Sequence, residues 1–204
     1  MSAKAITPAE RYTAVAQAFH WLLALALIGI VIMGLAMAHA PLTPATKFKL
    51  YQLHKSVGIT ILALAVLRLL WRLTHRPPPL PADMPALEKA GAHGAHVVLY
   101  GLMIGLPLVG WALVSISPFN LPTVLYGILP WPHISALSSL PRATKAAWEP
   151  TVAFVHAYGA YLLIALVGVH VLAALRHHFI IGDDTLRRML PGRRRPIMPR
   201  NPAE

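Results

Sequence analysis

Long apolar stretches alternate with short polar or proline-bearing connections along this chain. Four of these stretches, at about residues 15–38, 50–73, 92–115 and 151–181, approach or exceed the length needed to cross a bilayer. The hydrocarbon core of a membrane takes about 20 mostly apolar residues in a helix. The pattern therefore predicts an all-α integral membrane protein, a bundle of four transmembrane helices.

Proline punctuates the predicted helices, since its ring removes a backbone donor and stops a helix. Pro41 and Pro44 follow the first span, residues 77–79 follow the second, and the fourth is expected to start after Pro150. Pro107 lies inside the third span, where it is expected to cause a kink. Two proline-rich connections remain, residues 76–90 and 116–147. The second carries aromatic residues suited to a membrane interface: Tyr126, Trp131 and Trp148.

Composition supports lipid as the solvent. Apolar residues make up 56% of the 204 residues and charged ones only 12%, whereas a soluble domain is about 45–50% apolar and about 25% charged. The absence of cysteine excludes disulfides, thiolate metal sites, iron–sulfur clusters and covalently attached c-type haem. Any metal must therefore be held by methionine, oxygen ligands or the 11 histidines.

The positive charge sets an expected orientation. The net charge is +11, but the basic residues flank the apolar stretches, so a membrane role is favoured over nucleic-acid binding. Thirteen Lys and Arg fall on the side of the two termini and the 68–90 region, against five on the other side. By the positive-inside rule both termini are predicted to be cytoplasmic. The five outer residues are Lys47, Lys49, Lys55, Arg142 and Lys145.

The chain is interpreted as one transmembrane domain. The domain covers residues 1–190, followed by a basic, proline-bearing tail at 191–204. The sequence turns basic from Gly182 onward, and this end is expected to be partly disordered. The N-terminus lacks the features of a cleaved signal peptide, and the expected location is the bacterial inner membrane.

Histidines inside the spans are the candidate functional residues, because ionisable groups at membrane depth are costly and usually functional. His156 and His170 lie in the same span, 14 residues apart. That spacing is about 40° short of four full helical turns and about 21 Å of rise. The two side chains therefore share a face at two depths, which suits two stacked cofactors.

Topology restricts which histidines can meet them. His20 lies near the inner end of the first span, at the depth of His170, and His54 lies near the outer end of the second, at the depth of His156. The pairs His20–His170 and His54–His156 are therefore predicted axial ligands of two haem irons. Gly58 and Gly159 could admit a flat macrocycle, or could allow close helix packing instead.

Other polar residues near the spans leave alternatives open. His93 and His96 could bond haem propionates, line a quinone pocket or act as alternative ligands. His177 follows His170 by seven residues and lies where a propionate or quinone could sit, or it forms an interfacial basic cluster with His178. Arg68 and Arg72 could pair with propionates or with lipid phosphates. A bundle held by interhelical histidine hydrogen bonds is the structural alternative. A proton-relay transporter is disfavoured, because no Asp or Glu lies within the spans.

Several strings occur in an order and spacing that resemble the bacterial cytochrome b561 family. The resemblance covers about residues 11–190. Its segments are Phe19–Leu22, His54–Ile59, Ala92–His96, Leu106–Gly110, His156, Gly159–Tyr161, Gly168–His170, His177–Phe179 and Asp184–Pro191. The resemblance implies two b-type haems on the pairs above and a ubiquinone near His177.

The best-known member of that family is a superoxide:ubiquinone oxidoreductase. The resemblance thus implies an oxidoreductase that passes electrons from an outer-face donor, superoxide, through two haems to ubiquinone. The outer lysines and arginine would steer an anion or bind lipid headgroups. A protein partner is not required. One alternative is a cytochrome b subunit linking a partner redox enzyme to the quinone pool, and a second is a non-haem membrane bundle.

Overall fold

A computed structural model describes residues 11–81 and 84–191. Within them, four helices are long and apolar enough to cross a membrane, as predicted. They are α1 (Ala14–His39), α2 (Pro44–Thr74), α3 (Ala86–Ile116) and α5 (Arg142–Arg176), the last continuing as a π-helix over His177–Ile181. A one-turn helix, α4 (Ser135–Ser138), precedes α5. The predicted tail at 192–204 lies outside the described residues.

The helix ends follow local chemistry. The hydroxyl of Thr13 accepts a hydrogen bond from the Ala16 amide, and Thr43 does the same for Thr46, so both residues cap a helix start. Pro44 occupies the first turn of α2, where its missing N–H costs nothing. Residues 44–49, which precede the predicted second span, are therefore the first turns of α2.

The fourth membrane helix starts earlier than the sequence predicted. It begins at Arg142, and Pro150 lies inside it. Proline within a helix is tolerated in membrane proteins when neighbouring groups satisfy the freed carbonyl. At about 52 Å, α5 is longer than the hydrocarbon core of about 30 Å, so it extends beyond the lipid. Pro107 likewise lies inside the continuous helix α3.

The helices pack in chain order, with close backbone contact between α1 and α2, α2 and α3, and α3 and α5. One buried cluster joins the first three, and a second joins α3 to α5: Leu23, Ile61, Ala65 and Met103, then Leu99, Leu106 and Leu163. Large apolar side chains on the outer faces are exposed, as expected of surfaces that face lipid.

The connection after α3 forms a small structured cap. Strands β1 (Thr123–Leu125) and β2 (Leu129–Trp131) pair antiparallel, with Leu125 opposite Leu129. Tyr126 and Gly127 make the turn with positive φ angles of 51° and 73°. The Tyr126 amide donates to Ser56 Oγ at 2.9 Å, and its hydroxyl lies 2.6 Å from Thr60 Oγ1. This hairpin, which the sequence did not predict, is thereby fixed to α2.

The opposite end of the bundle is closed by the residues after α5. Gly182, at φ 74°, ends the π-helix, and the turns that follow lie against the start of α1. Trp21 Nε1 donates to the Met189 carbonyl at 2.9 Å, and Gln17 Nε2 donates to the Arg188 carbonyl at 3.1 Å. The Arg188 guanidinium donates to the Pro79 carbonyl at 2.7 Å. These bonds tie both ends of the domain to the connection between α2 and α3.

Candidate functional site

His20 and His170, called the inner pair because the predicted orientation puts them on the cytoplasmic side, meet across the space between α1 and α5. The ring centroids of His20 and His170 are 6.2 Å apart, with their planes at 70°. His96 of α3 also faces this point, its ring centroid 5.7 Å from that of His170. The structure thus brings the predicted pair together and adds a third imidazole, on the helix that sequence reasoning left without a ligand.

His54 and His156, called the outer pair because the predicted orientation puts them on the opposite side, form a second pair of the same kind. The centroids of His54 and His156 are 6.1 Å apart, with their planes at 75°. Glycines keep the space around these rings clear. A Cβ on Gly110 of α3 would lie 3.1 Å from His156 Cε1, and one on Gly34 of α1 would lie 3.5 Å from His54 Cε1. Any side chain at Gly110 would press on the His156 ring.

The spacing within each pair fits coordination of one metal by two imidazoles. A metal-bound imidazole nitrogen stands about 2 Å from the metal, and the ring radius adds roughly 1 Å on each side, so two imidazoles that held one metal between them would have centroids about 6 Å apart. The donor set is imidazole alone, which is a haem-iron ligand set. The residues present therefore fit a haem b.

The Nδ1 atoms of His20, His54 and His156 are buried and have no hydrogen-bond partner among the described residues. A buried polar atom usually has a partner, because leaving it unpaired costs about 1–3 kcal/mol. The structural alternative, a bundle held by interhelical histidine hydrogen bonds, thus finds no support at His20 or His54, whereas His156 lies close enough to the Leu106 backbone of α3 for a hydrogen-bond interaction. By contrast, His39 uses Nε2 for such a bond, 3.0 Å from the Tyr161 hydroxyl.

Arg68 lies at the inner end, close enough to His20, His96 and His170 for electrostatic interaction. Its guanidinium carbon stands 5.5 Å over the ring of Tyr100, and that of Arg72 stands 6.0 Å over the same ring. The two cations are therefore held beside the inner histidines, where an anionic group could be received.

Gly58 and Gly159 occupy helix contacts in the structure. A Cβ on Gly58 would meet the Ile30 side chain of α1 at 3.6 Å, and a Cβ on Gly159 would clash with Leu106 of α3 at 2.5 Å. Both glycines therefore permit close helix packing, the second use that the sequence left open for them. The glycines nearest the histidine rings, Gly34 and Gly110, were not singled out, because nothing in the sequence showed which helix faces meet.

His177 lies in the π-helix and is largely buried. Its Nδ1 donates to the Asp183 carboxylate at 2.5 Å. The other Asp183 oxygen accepts the Thr185 amide at 2.8 Å. Partial burial alone would raise the pKa of Asp183, but the hydrogen bonds from Thr185 and His177 outweigh it and hold the pKa below its ordinary value. His93, at the start of α3, donates from Nδ1 to the Lys89 carbonyl at 2.7 Å.

The five Lys and Arg residues predicted at the outer face differ in burial and in hydrogen bonding. Lys55 Nζ donates to the Pro122 carbonyl at 3.2 Å, and Lys145 is buried. Lys49 and Arg142 are exposed and Lys47 is partly so, at the first turns of α2 and α5. The exposed positive rim is thus smaller than the sequence suggested.

Four membrane helices with paired imidazoles in their interior are the architecture of a membrane-bound cytochrome b, a class of electron-transfer protein. The family model for prokaryotic cytochrome b561 matches residues 11–192. The chain belongs to this family, whose members bind haem b and serve electron transfer, and it is accordingly a multi-pass protein of the bacterial inner membrane.

Individual relatives agree with the family. The chain is 34% identical to cytochrome b561 homolog 2 of Escherichia coli K12 over 182 residues, which is 89% of this chain and 92% of the relative. It is 31% identical over 144 residues, 70% of this chain and 75% of the relative, to a Yersinia pestis protein named "Probable superoxide oxidase CybB". A third relative, cytochrome b561 homolog 1 of Escherichia coli K12, is 29% identical over 76% of this chain and 82% of its own length.

Proposed function

We propose that this protein is a dihaem cytochrome that oxidises superoxide at the outer face and reduces ubiquinone at the inner face. The observation that carries the proposal is the presence of two imidazole pairs, His20–His170 and His54–His156, each with centroids about 6 Å apart. Because α5 supplies one member of each pair 14 residues apart, the pairs are separated by about 21 Å along the helix.

His20 is preferred over His96 as the inner partner of His170. The Nδ1 of His20 is buried within the bundle, whereas His96 is among the residues that line a cavity at the inner end. In the proposal, His20 and His170 hold the inner haem, and His54 and His156 hold the outer one. Arg68 would receive the carboxylates of the inner haem, and His177 would contact the quinone.

Haem b, when bound, supplies a one-electron carrier, so the protein needs no acid–base residue at membrane depth. Two superoxide anions each give up one electron and leave as O2. The ubiquinone takes up those two electrons and two protons to become ubiquinol. The residues of this chain hold the cofactors at two depths, exclude bulk water from the path, and present Lys49 and Arg142 to incoming anions.

The similarity to the Yersinia pestis relative, whose name is "Probable superoxide oxidase CybB", supports superoxide as the donor. The lipid bilayer and quinone are the required partners, and the proposal needs no protein partner.

A spectrum tests the cofactor part of the proposal. Purified protein reduced with dithionite is expected to show a b-type α-band and two haems per chain. His156→Ala should remove the outer haem and His170→Ala the inner one, each leaving one haem. His96→Ala should leave both. A preparation without an α-band, or retention of two haems after either ligand change, would contradict the assignment.

Rapid mixing tests the substrate part. Superoxide mixed with the oxidised protein in detergent is expected to reduce the haems, and added ubiquinone should reoxidise them. A haem-loaded protein that superoxide does not reduce, and that co-purifies with a redox enzyme, would favour a cytochrome b subunit that serves a partner instead.

A further inference from the structure

The connection between α3 and α5 carries no charge. Residues 90–141 contain no Asp, Glu, Lys or Arg, and this stretch includes the whole connection over residues 117–141. At the frequency of about 25% found in soluble domains, a connection of this length would carry about six charged side chains. Its composition is therefore not that of a loop surrounded by water.

The large apolar side chains of this connection are exposed. Ile128, at the turn of the hairpin, is 85% exposed, and Leu129 beside it is 56% exposed. Phe119, Leu121 and Tyr126 are exposed as well, and we call these five residues the hairpin patch. A cluster of exposed apolar side chains marks contact with another protein or with a membrane. The hairpin patch therefore needs an occupant other than water.

Hydrogen bonds fix the depth of the hairpin against α2. The Tyr126 amide donates to Ser56 Oγ at 2.9 Å. Ser56 follows residue 50, where the predicted second span starts, by six residues, so the turn lies about 9 Å inside that limit. The Tyr126 hydroxyl lies 2.6 Å from Thr60 Oγ1, one helical turn deeper. Interfacial segments bury their apolar faces to about 5–10 Å, and the hairpin turn lies at this depth.

The backbone of the turn is suited to lipid. Lipid offers no hydrogen bonds, so polar backbone groups in contact with it must be paired within the protein. The N–H groups of residues 126–128 all donate to protein acceptors, at 2.9–3.3 Å. Residues 130 and 132 are prolines and have no N–H group, and the Pro132 carbonyl accepts from Trp111 Nε1 at 2.8 Å. The N–H groups of the turn therefore need no water.

The side chain at the turn is also one that suits a membrane interface. Hairpin turns with positive φ at two successive residues commonly place Asn or Asp before the glycine. Here Tyr126 precedes Gly127. Tyrosine is enriched where membrane and water meet, and the hydroxyl of Tyr126 has Thr60 as its partner. The turn thus carries an amphipathic ring at a position that hairpins in water usually give to a short polar side chain.

We propose that the hairpin patch inserts into the lipid leaflet at its end of the bundle, at the boundary between headgroups and acyl chains. The patch continues the lipid-facing surface of α2, to which the hairpin is bonded through Ser56 and Thr60. Lys55, whose Nζ donates to the Pro122 carbonyl, lies at the base of the hairpin at the level expected for headgroups. This contact with lipid does not depend on the arrangement of the haems or on the electron donor.

Spin labelling tests the insertion, because the chain has no native cysteine. Ile128→Cys and Leu129→Cys are labelled with a nitroxide in detergent and reconstituted into vesicles of phosphatidylethanolamine and phosphatidylglycerol. The accessibility of each label to oxygen, which concentrates in lipid, is compared with its accessibility to a water-soluble nickel chelate. Leu87→Cys is the matched control, since Leu87 is 84% exposed but lies in the first turn of α3, before the predicted third span. Ile32→Cys, on the exposed face of α1, is the lipid reference.

The labels at Ile128 and Leu129 are expected to show an oxygen-to-nickel accessibility ratio severalfold higher than the label at Leu87, and close to that at Ile32. Circular dichroism should show the helical content of the parent in every variant, because the replaced side chains are exposed. A ratio equal to that of the Leu87 label would mean that water covers the patch, and would overturn the proposal. Low accessibility to both reagents would overturn it as well, because another protein chain would then cover the patch. Dipolar broadening that disappears on dilution with unlabelled protein would identify that chain as a second copy.

Discussion

At the scale of single residues, the absence of a side chain at Gly110 is what leaves room for the His156 ring. This contact joins α3 to α5 at the outer pair, although α3 supplies no ligand in the proposed scheme. An added methyl group would lie 3.1 Å from Cε1 and 3.4 Å from Nδ1 of the imidazole. Overpacking of this kind typically costs about 1–3 kcal/mol.

Gly110→Ala is therefore expected to disturb the outer haem selectively. The haem-to-protein ratio should fall toward half of the parent value, and one component of the redox titration should be lost or shifted. The matched control is Gly105→Ala on the same helix, where a Cβ would meet nothing within 4 Å. Equal effects of the two substitutions would show that helix α3, and not the His156 contact, is responsible.

Asp183 follows the membrane helices, and its carboxylate accepts hydrogen bonds from His177 and from the Thr185 amide. Its pKa is held below the ordinary value of 3.8, so the carboxylate contributes stability above the unfolded-state pKa. That contribution is lost as the pH falls through the lower, folded-state pKa. Asp183→Asn should lower Tm at neutral pH and flatten the decline of Tm as the pH falls below the ordinary carboxyl value of 3.8.

Thermal unfolding in detergent, followed across that pH range, measures this effect. Asp184→Asn is the control, because Asp184 forms only a partly exposed ion pair with Arg187 at 3.6 Å, and such pairs contribute little. An identical pH dependence for the parent and Asp183→Asn would contradict the proposed role of the carboxylate.

At the scale of elements, the hairpin after α3 and the π-helix after α5 are the parts that the pattern of hydrophobic residues could not predict. The hairpin strands have three residues each, too short for an alternating pattern to stand out. The hairpin is held by Tyr126, whose amide and hydroxyl both contact α2. A positive φ at a tyrosine is uncommon and costs energy, so these contacts must offset it.

Tyr126→Phe is accordingly expected to lower the free energy of unfolding by about 0.5–1.5 kcal/mol, the net value of one hydrogen bond. Tyr158→Phe on the exposed face of α5 is the control, because its ring contacts with Phe154 and Tyr161 do not involve the hydroxyl. Thermal or denaturant unfolding in detergent provides the comparison. Indistinguishable unfolding of the two variants would show that the Thr60 contact does not stabilise the hairpin.

At the scale of the whole molecule, the sequence predicted the membrane helices and the meeting of their histidines. The lengths of the apolar stretches were sufficient to predict the number of membrane helices. The depth of each histidine in its span was sufficient to predict that His20 lies near His170 and that His54 lies near His156. The start of the fourth helix was predicted wrongly, because Pro150 was taken to precede it. A proline commonly ends a helix in water, but it does not always do so in a membrane protein. The approach of His96 to His170 depends on the rotation of α3, which its sequence does not specify.

The predicted orientation can be tested directly because the chain contains no cysteine. Lys49→Cys lies at the outer start of α2, and Arg76→Cys lies beyond its opposite end. With both termini cytoplasmic, a membrane-impermeant maleimide should label the first variant in intact spheroplasts and the second only after permeabilisation. The reverse labelling pattern would invert the proposed direction of electron flow.

The position of α5 at the end of the membrane domain also has a consequence for biosynthesis. Each histidine pair takes one member from α5, and the turns after it bind the start of α1 through Met189 and Arg188. A nascent chain with only its first three membrane helices inserted therefore holds half of each site. Neither pair can form until α5 has been synthesised, so in the proposed scheme a product truncated before α5 would bind no haem and would be colourless.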